Sequence, residues 1–128
     1  VIMEKTKGFW EIVEAIYERD GRYRPDSYEF VMQALRFTQK KLKRAGHVSG
    51  RELSEGIRQY ALKTYGPMAR TVLEYWGIRS TEDIGNIVFN MIAVKLFSKT
   101  EDDSIDDFKG LYRFDEAFKR TITDLTIT

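Results

Sequence analysis

The stretch Gly46–Ile92, GHVSGRELSEGIRQYALKTYGPMARTVLEYWGIRSTEDIGNIVFNMI, constrains this chain more than any other, because it contains three helices together with their start and stop signals. Ser49-Gly50-Arg51-Glu52 has capping-box spacing: the Ser49 hydroxyl accepts from the Glu52 amide and the Glu52 carboxylate accepts from the Ser49 amide. Val48 before the cap and Leu53 after it have the spacing of a hydrophobic staple. Leu53, Ile57, Tyr60 and Ala61 then recur on one face of a 3.6-residue period. Gly66-Pro67 ends this helix and starts another, whose apolar stripe is Met68, Val72, Leu73 and Trp76 and which Gly77 closes. Ser80 or Thr81 caps a third helix, with Glu82 and Asp83 at its positive pole and Ile84, Ile87, Val88, Met91 and Ile92 as its face. Phe89 and Val94 widen that face, which predicts a central position in the domain.

The flanking segments extend the pattern. Phe9, Ile12, Val13, Ile16 and Tyr17 form the stripe of a first amphipathic helix, with Trp10 expected at the edge of the core. Asp20-Gly21 stops it, and Pro25 holds Arg24 extended. A second helix starts near Asp26 or Ser27 and carries Phe30, Val31, Ala34, Leu35 and Leu42 inward, flanked by Tyr28 and Phe37. Lys40, Lys41, Lys43 and Arg44, with Arg36, make a basic patch, which reads as cations complementing the negative pole of the helix rather than as a phosphate site.

After Phe97 the period changes. The alternation in Phe108–Phe114 is compatible with a strand, and a hairpin pairing Leu96–Thr100 with Leu111–Phe114 would follow. Phe114 and Phe118 anchor one or two helical turns up to Arg120, and the terminal TITDLTIT is β-prone. Asp102, Asp103, Asp106 and Asp107 lack the glycine and glutamate positions of a calcium loop and read as an acidic solvated loop.

The fold class expected from these elements is mainly α: a single domain over residues 1–128, with about five helices and a short C-terminal β-hairpin. Residues 47–114 would then have a winged-helix-like arrangement. At 128 residues the chain suits one domain with one core.

Composition narrows function chiefly by exclusion. Lysine and arginine number 21 against 20 acids, so the net field is weak. The balance is graded, however: residues 1–45 hold ten basic and seven acidic groups, and residues 101–128 hold four and eight. There is no cysteine and no apolar run of membrane-spanning length, so the expectation is a cytoplasmic protein with no membrane partner. No catalytic, metal or cofactor motif stands out. His47, the single histidine, has no recognisable catalytic or ligating partners and reads as a loop residue whose ring bonds a helix end.

RYRPDSYEFV (Arg22–Val31), the segment His47–Ile78, TEDIGNIVFNMI (Thr81–Ile92) and DDFKGLYRF (Asp106–Phe114) together resemble a family of small bacterial proteins of unknown function. The likeness covers most of the chain. Ile84 stands where that family carries Phe, and the tail after Phe118 departs from it. The resemblance implies a shared fold and brings no functional residue with it.

Three functional readings follow. One is a non-enzymatic interaction or regulatory module, with a homodimer or a protein partner held by exposed aromatics around Trp10, Tyr65 and Trp76; its motivation is an aromatic content of 13% without a reactive constellation. The second is a winged-helix nucleic-acid binder. Glu82 and Asp83 on the recognition helix and Glu101, Asp102 and Asp103 on the wing oppose it by repelling phosphates. The third is an enzyme or ligand binder with a small polar pocket built from Asn86 and Asn90, with Arg58 and His47 as further contributors.

Overall fold

In the computed structural model, which describes residues 1–4 and 7–119, the chain is mainly helical with one two-stranded antiparallel sheet. The order is β1 (Ile2–Met3), α1 (Phe9–Arg19), α2 (Pro25–Leu42), α3 (Gly50–Tyr65), α4 (Ala69–Tyr75), α5 (Thr81–Ala93), β2 (Phe97–Ser98) and α6 (Phe114–Ala117). A 3₁₀ turn at Gly66–Met68 joins α3 to α4, and another at Ile105–Phe108 lies between β2 and α6.

Local chemistry sets the helix boundaries. Both halves of the capping box at α3 are made: Glu52 N donates to Ser49 Oγ at 3.0 Å, and Ser49 N donates to Glu52 Oε1 at 2.9 Å. The Ser80 hydroxyl caps α5 by accepting from Asp83 N at 3.3 Å. Arg24 is extended, and Pro25 begins α2 immediately after it, one or two residues earlier than the sequence pattern indicates. Helix α5 ends at Ala93, just short of Val94, and Lys95 then adopts a left-handed φ of 64° that turns the chain into β2.

The core forms one cluster in which α5 is central, as its wide apolar face implies: it packs against α2, α3, β2 and the Ile105–Phe108 turn. Ile84, Ile87, Val88 and Met91 are fully buried. The ends of several predicted stripes lie outside the core, with Tyr17, Leu42 and Met68 exposed. Trp10 also departs from expectation. It is 43% exposed and meets Phe9 edge to face at 5.1 Å.

The C-terminal third differs most from the sequence reading. The strand at Phe97–Ser98 lies within the expected Leu96–Thr100, but its partner is Ile2–Met3 at the other end of the chain, in the register Ile2↔Ser98 and Met3↔Phe97. Segment 111–114 forms no strand, so the wing of a winged helix is not built. Phe108 accounts for this. Its ring is buried between the start of α3 and the middle of α5, where Gly50 and Gly85 admit it: a Cβ at either glycine would lie 2.9 Å from a Phe108 carbon. With Phe108 held there, the backbone turns as a 3₁₀ helix capped by Ser104 and Asp107 instead of extending. Phe114 and Phe118 pack edge to face at 4.9 Å, as their spacing predicts. The expectations for Arg120 and the TITDLTIT tail lie outside the described residues.

Candidate interaction surface

A row of rings runs along the seam of α2, α3 and α4. Phe30 lies 5.4 Å from Tyr60, 6.1 Å from Tyr65 and 5.3 Å from Trp76, while Tyr60 is 5.2 Å from Phe37 and Tyr65 is 6.0 Å from Trp76. Phe30 and Trp76 form the buried base, and Phe37, Tyr60 and Tyr65 remain half-buried with edges open to solvent. Burial raises the Tyr65 phenol above its ordinary value, helped by the negative charges of nearby groups that include Asp26 and Glu29. Centroid separations of 5–6 Å are the favoured range for ring pairs, so the row is a preorganised surface with little rotamer entropy left to lose on contact.

Its charges are ordered. The outward stripe of α2 reads Asp26, Glu29, Gln33, Phe37, Lys40 and Lys41, from acidic at the helix start through an aromatic middle to basic at the end. Gln33 Oε1 accepts from Tyr60 Oη at 3.2 Å, which ties the stripe to α3. Lys63 Nζ sits 5.5 Å and Lys41 Nζ 5.9 Å from the Phe37 ring centroid, and Lys41 also bonds Gln59. Tyr75, 65% exposed, has the Arg24 guanidinium 4.3 Å over its ring.

Of the residues singled out from the sequence, Tyr65 lies on this surface; Trp76, expected to be exposed, is buried beneath it because Phe30 and Tyr65 cover its ring, and Trp10 stands apart on α1. Asn86 and Asn90 both face the α1–α2 connection, but as structural bonds. Asn86 Nδ2 donates to Tyr23 Oη at 2.9 Å, and Tyr23 Oη donates to Asp83 Oδ1 at 2.5 Å. Asn90 Nδ2 donates to Asp20 Oδ2 at 3.0 Å and to Tyr28 Oη at 3.1 Å. Burial first, and then the Asp83 carboxylate, push the Tyr23 phenol well above its usual range, so it stays a neutral donor. Arg58 is spent on Glu55, at 2.6 and 2.9 Å.

His47 does have an acid partner, contrary to the sequence reading. Its Nε2 lies 3.0 Å from Asp103 Oδ1, and because the carboxylate only accepts, Nε2 carries the proton. Asp103 is therefore no member of a solvated loop: it is buried, and it also accepts from the Thr100 amide and from Val1 N. A separation of 56 positions hid this pair from motif reasoning. Among the described residues no group of three or more His, Cys, Asp or Glu is placed to hold a metal.

Burial opposes ionisation of Asp103, but the hydrogen bonds it accepts from Val1 N, the Thr100 amide and His47 outweigh it and hold the carboxyl below its ordinary 3.8. A depressed carboxylate contributes stability that is fully present above the unfolded value and is lost as pH falls through the folded one. Urea unfolding should therefore show Asp103→Asn well below the parent at pH 6, with the gap closing between pH 4 and pH 2. A gap that stays constant with pH would show that the carboxylate's charge is immaterial.

The fold and surface define a small mainly α domain with an open aromatic seam. No protein-family model, curated protein or solved structure matches the chain. No described helix is long and apolar enough to cross a membrane.

Proposed function

We propose that the protein is a non-enzymatic interaction module that pairs with a second copy of itself through the α2–α3 face. The observation that carries this reading is the acid-to-base polarity of the α2 stripe around half-open Phe37, Tyr60 and Tyr65. A two-fold axis crossing α2 near Gln33 runs the two copies antiparallel. It sets Asp26 and Glu29 of one against Lys40 and Lys41 of the other while the aromatic edges bury each other, so one patch complements itself, as an isologous dimer requires. Aromatic anchors ringed by polar groups are the composition that carries binding energy at protein interfaces.

Light scattering over a concentration series should show a dimer for the parent chain and monomers for Lys40→Glu/Lys41→Glu and for Asp26→Lys/Glu29→Lys. Mixing the two variants should restore a heterodimer, because each then supplies the charge the other lost. These positions sit on the outer stripe of α2, so folding should survive the changes. A parent that stays monomeric at every concentration, or variants that dimerise unmixed, would overturn the reading.

A further inference from the structure

The row of rings along the α2–α3 seam stops at Phe37 and Tyr60. One turn before Tyr60 on the same side of α3 stands Gly56, which supplies no side chain. A cleft of about 250 Å³ opens there, lined by Thr38, Leu42 and Gly56 and by the long side chains of Lys41, Arg51 and Gln59. Its polar groups are mostly spent on one another. Glu52 holds Arg44, Glu55 holds Arg58 and Gln59, Lys41 donates to Gln59, and the Thr38 hydroxyl donates to Ala34 O at 2.7 Å. What the cleft has left to offer is apolar surface, with Leu42 38% exposed at its edge. It is smaller than the ~300–1,000 Å³ typical of small-molecule sites and suits a single inserted side chain.

The other end of the same seam carries the matching part. Tyr75, at the end of α4, is 65% exposed, the highest value among the large hydrophobic residues described. The Arg24 guanidinium lies 4.3 Å over its ring, and Arg24 Nε donates to Tyr75 O at 3.2 Å, so the ring is held out at the start of α2. Arg24 stands nine positions before Gln33 and Leu42 nine after it. At ~1.5 Å per residue, both lie about 14 Å from a two-fold axis crossing α2 near Gln33. The axis that sets Asp26 and Glu29 against Lys40 and Lys41 therefore also brings the Tyr75 end of one copy to the Leu42 end of the other.

We propose that Tyr75 of each copy seats in the α2–α3 cleft of the second copy. Its ring packs against Leu42 and the bare backbone at Gly56, and its hydroxyl accepts from Arg51, whose guanidinium has no partner among the described residues. A ring held in place before contact loses little rotamer freedom on insertion, and two-fold symmetry provides the anchor twice. This inference rests on pairing through the α2–α3 face and assigns the contact that fixes its register.

Two measurements on the full chain test it. In sedimentation equilibrium, Tyr75→Ala should raise the dimer dissociation constant about thirtyfold, the loss that marks an anchor residue, while Tyr75→Phe, which keeps the ring, should raise it by about threefold at most. The chain has no cysteine, so Tyr75→Cys and Leu42→Cys each introduce a lone thiol. Mixed with a short bismaleimide, the two variants should crosslink to each other. Neither should crosslink to itself, and Tyr75→Cys should not crosslink to Lys99→Cys, an exposed position just after β2. A parent chain that stays monomeric would overturn both this inference and the pairing beneath it. A parent that dimerises with an affinity indifferent to Tyr75→Ala, or that crosslinks 75 to 75 or to 99 in preference to 42, would overturn the seating of Tyr75 alone and leave the α2–α3 pairing standing.

Discussion

Phe108→Ala should unfold in urea with about 3–5 kcal/mol less stability than the parent, the range for emptying a buried phenylalanine site. For a chain of this size that is a loss of about 10–20 °C in melting temperature. The side chain is 1% exposed, and its ring meets α3 at Gly50 and α5 at Gly85. Its removal therefore takes out the contact that fastens the Ile105–Phe108 turn across two helices. The coupling is itself testable. Gly50→Ala alone should destabilise, because its Cβ would press on the ring at 2.9 Å from Cε2 and 3.0 Å from Cζ. In the Phe108→Ala background those ring atoms are gone and only Asp107 Cβ, at 3.1 Å, remains close, so the same change should cost clearly less than in the parent. Additive effects would show that the ring and Gly50 do not compete for the space.

Gly77→Ala should lose about 3 kcal/mol or more. Gly77 has φ 100°, which L side chains rarely adopt, and a Cβ there would collide with the carbonyl oxygen of Arg22. The obstacle is backbone, and it is fixed: the neighbouring Arg24 amide donates to Trp76 O at 3.0 Å, and Tyr23 beside it is held through Asp83 and Asn86. Relieving the clash would break that junction of the α1–α2 connection with the end of α4, so positive-φ strain and lost hydrogen bonds add. Gly46→Ala is the control, with no atom near its Cβ position, and should fall within about 0.5 kcal/mol of the parent. Thermal unfolding of the two variants side by side decides it; equal melting temperatures would refute the account of Gly77.

Helices α1–α5 and the caps of α3 and α5 were legible because each is written in neighbouring residues. Ser49 and Glu52 are three positions apart, Arg24-Pro25 are adjacent, and Ser80 caps the helix that begins at Thr81. Helical periodicity also found the buried face of α5, since a helix repeats its face within a turn. Trp10 was misplaced because a stripe says which side of a helix faces inward, while the size of the neighbouring helices decides how far around it burial extends. The candidate surface was half visible. Tyr65 and Trp76 stood out as aromatics, but the contribution of Phe30, Phe37 and Tyr60 depends on how α2 lies against α3. That packing is close because Gly56 faces Thr38 with no room for a side-chain carbon.

From the sequence alone came what is settled within one turn of chain: where most helices start and stop, and which side of each is apolar. The tertiary structure decided every pairing across long separations: β2 with Ile2–Met3 in place of segment 111–114, His47 with Asp103, and Phe108 with Gly50 and Gly85. The division has one physical cause. Capping and amphipathicity are short-range and leave a periodic mark on the sequence, whereas a contact between distant residues is chosen by which surfaces of the finished helices fit together, and no local pattern records that choice.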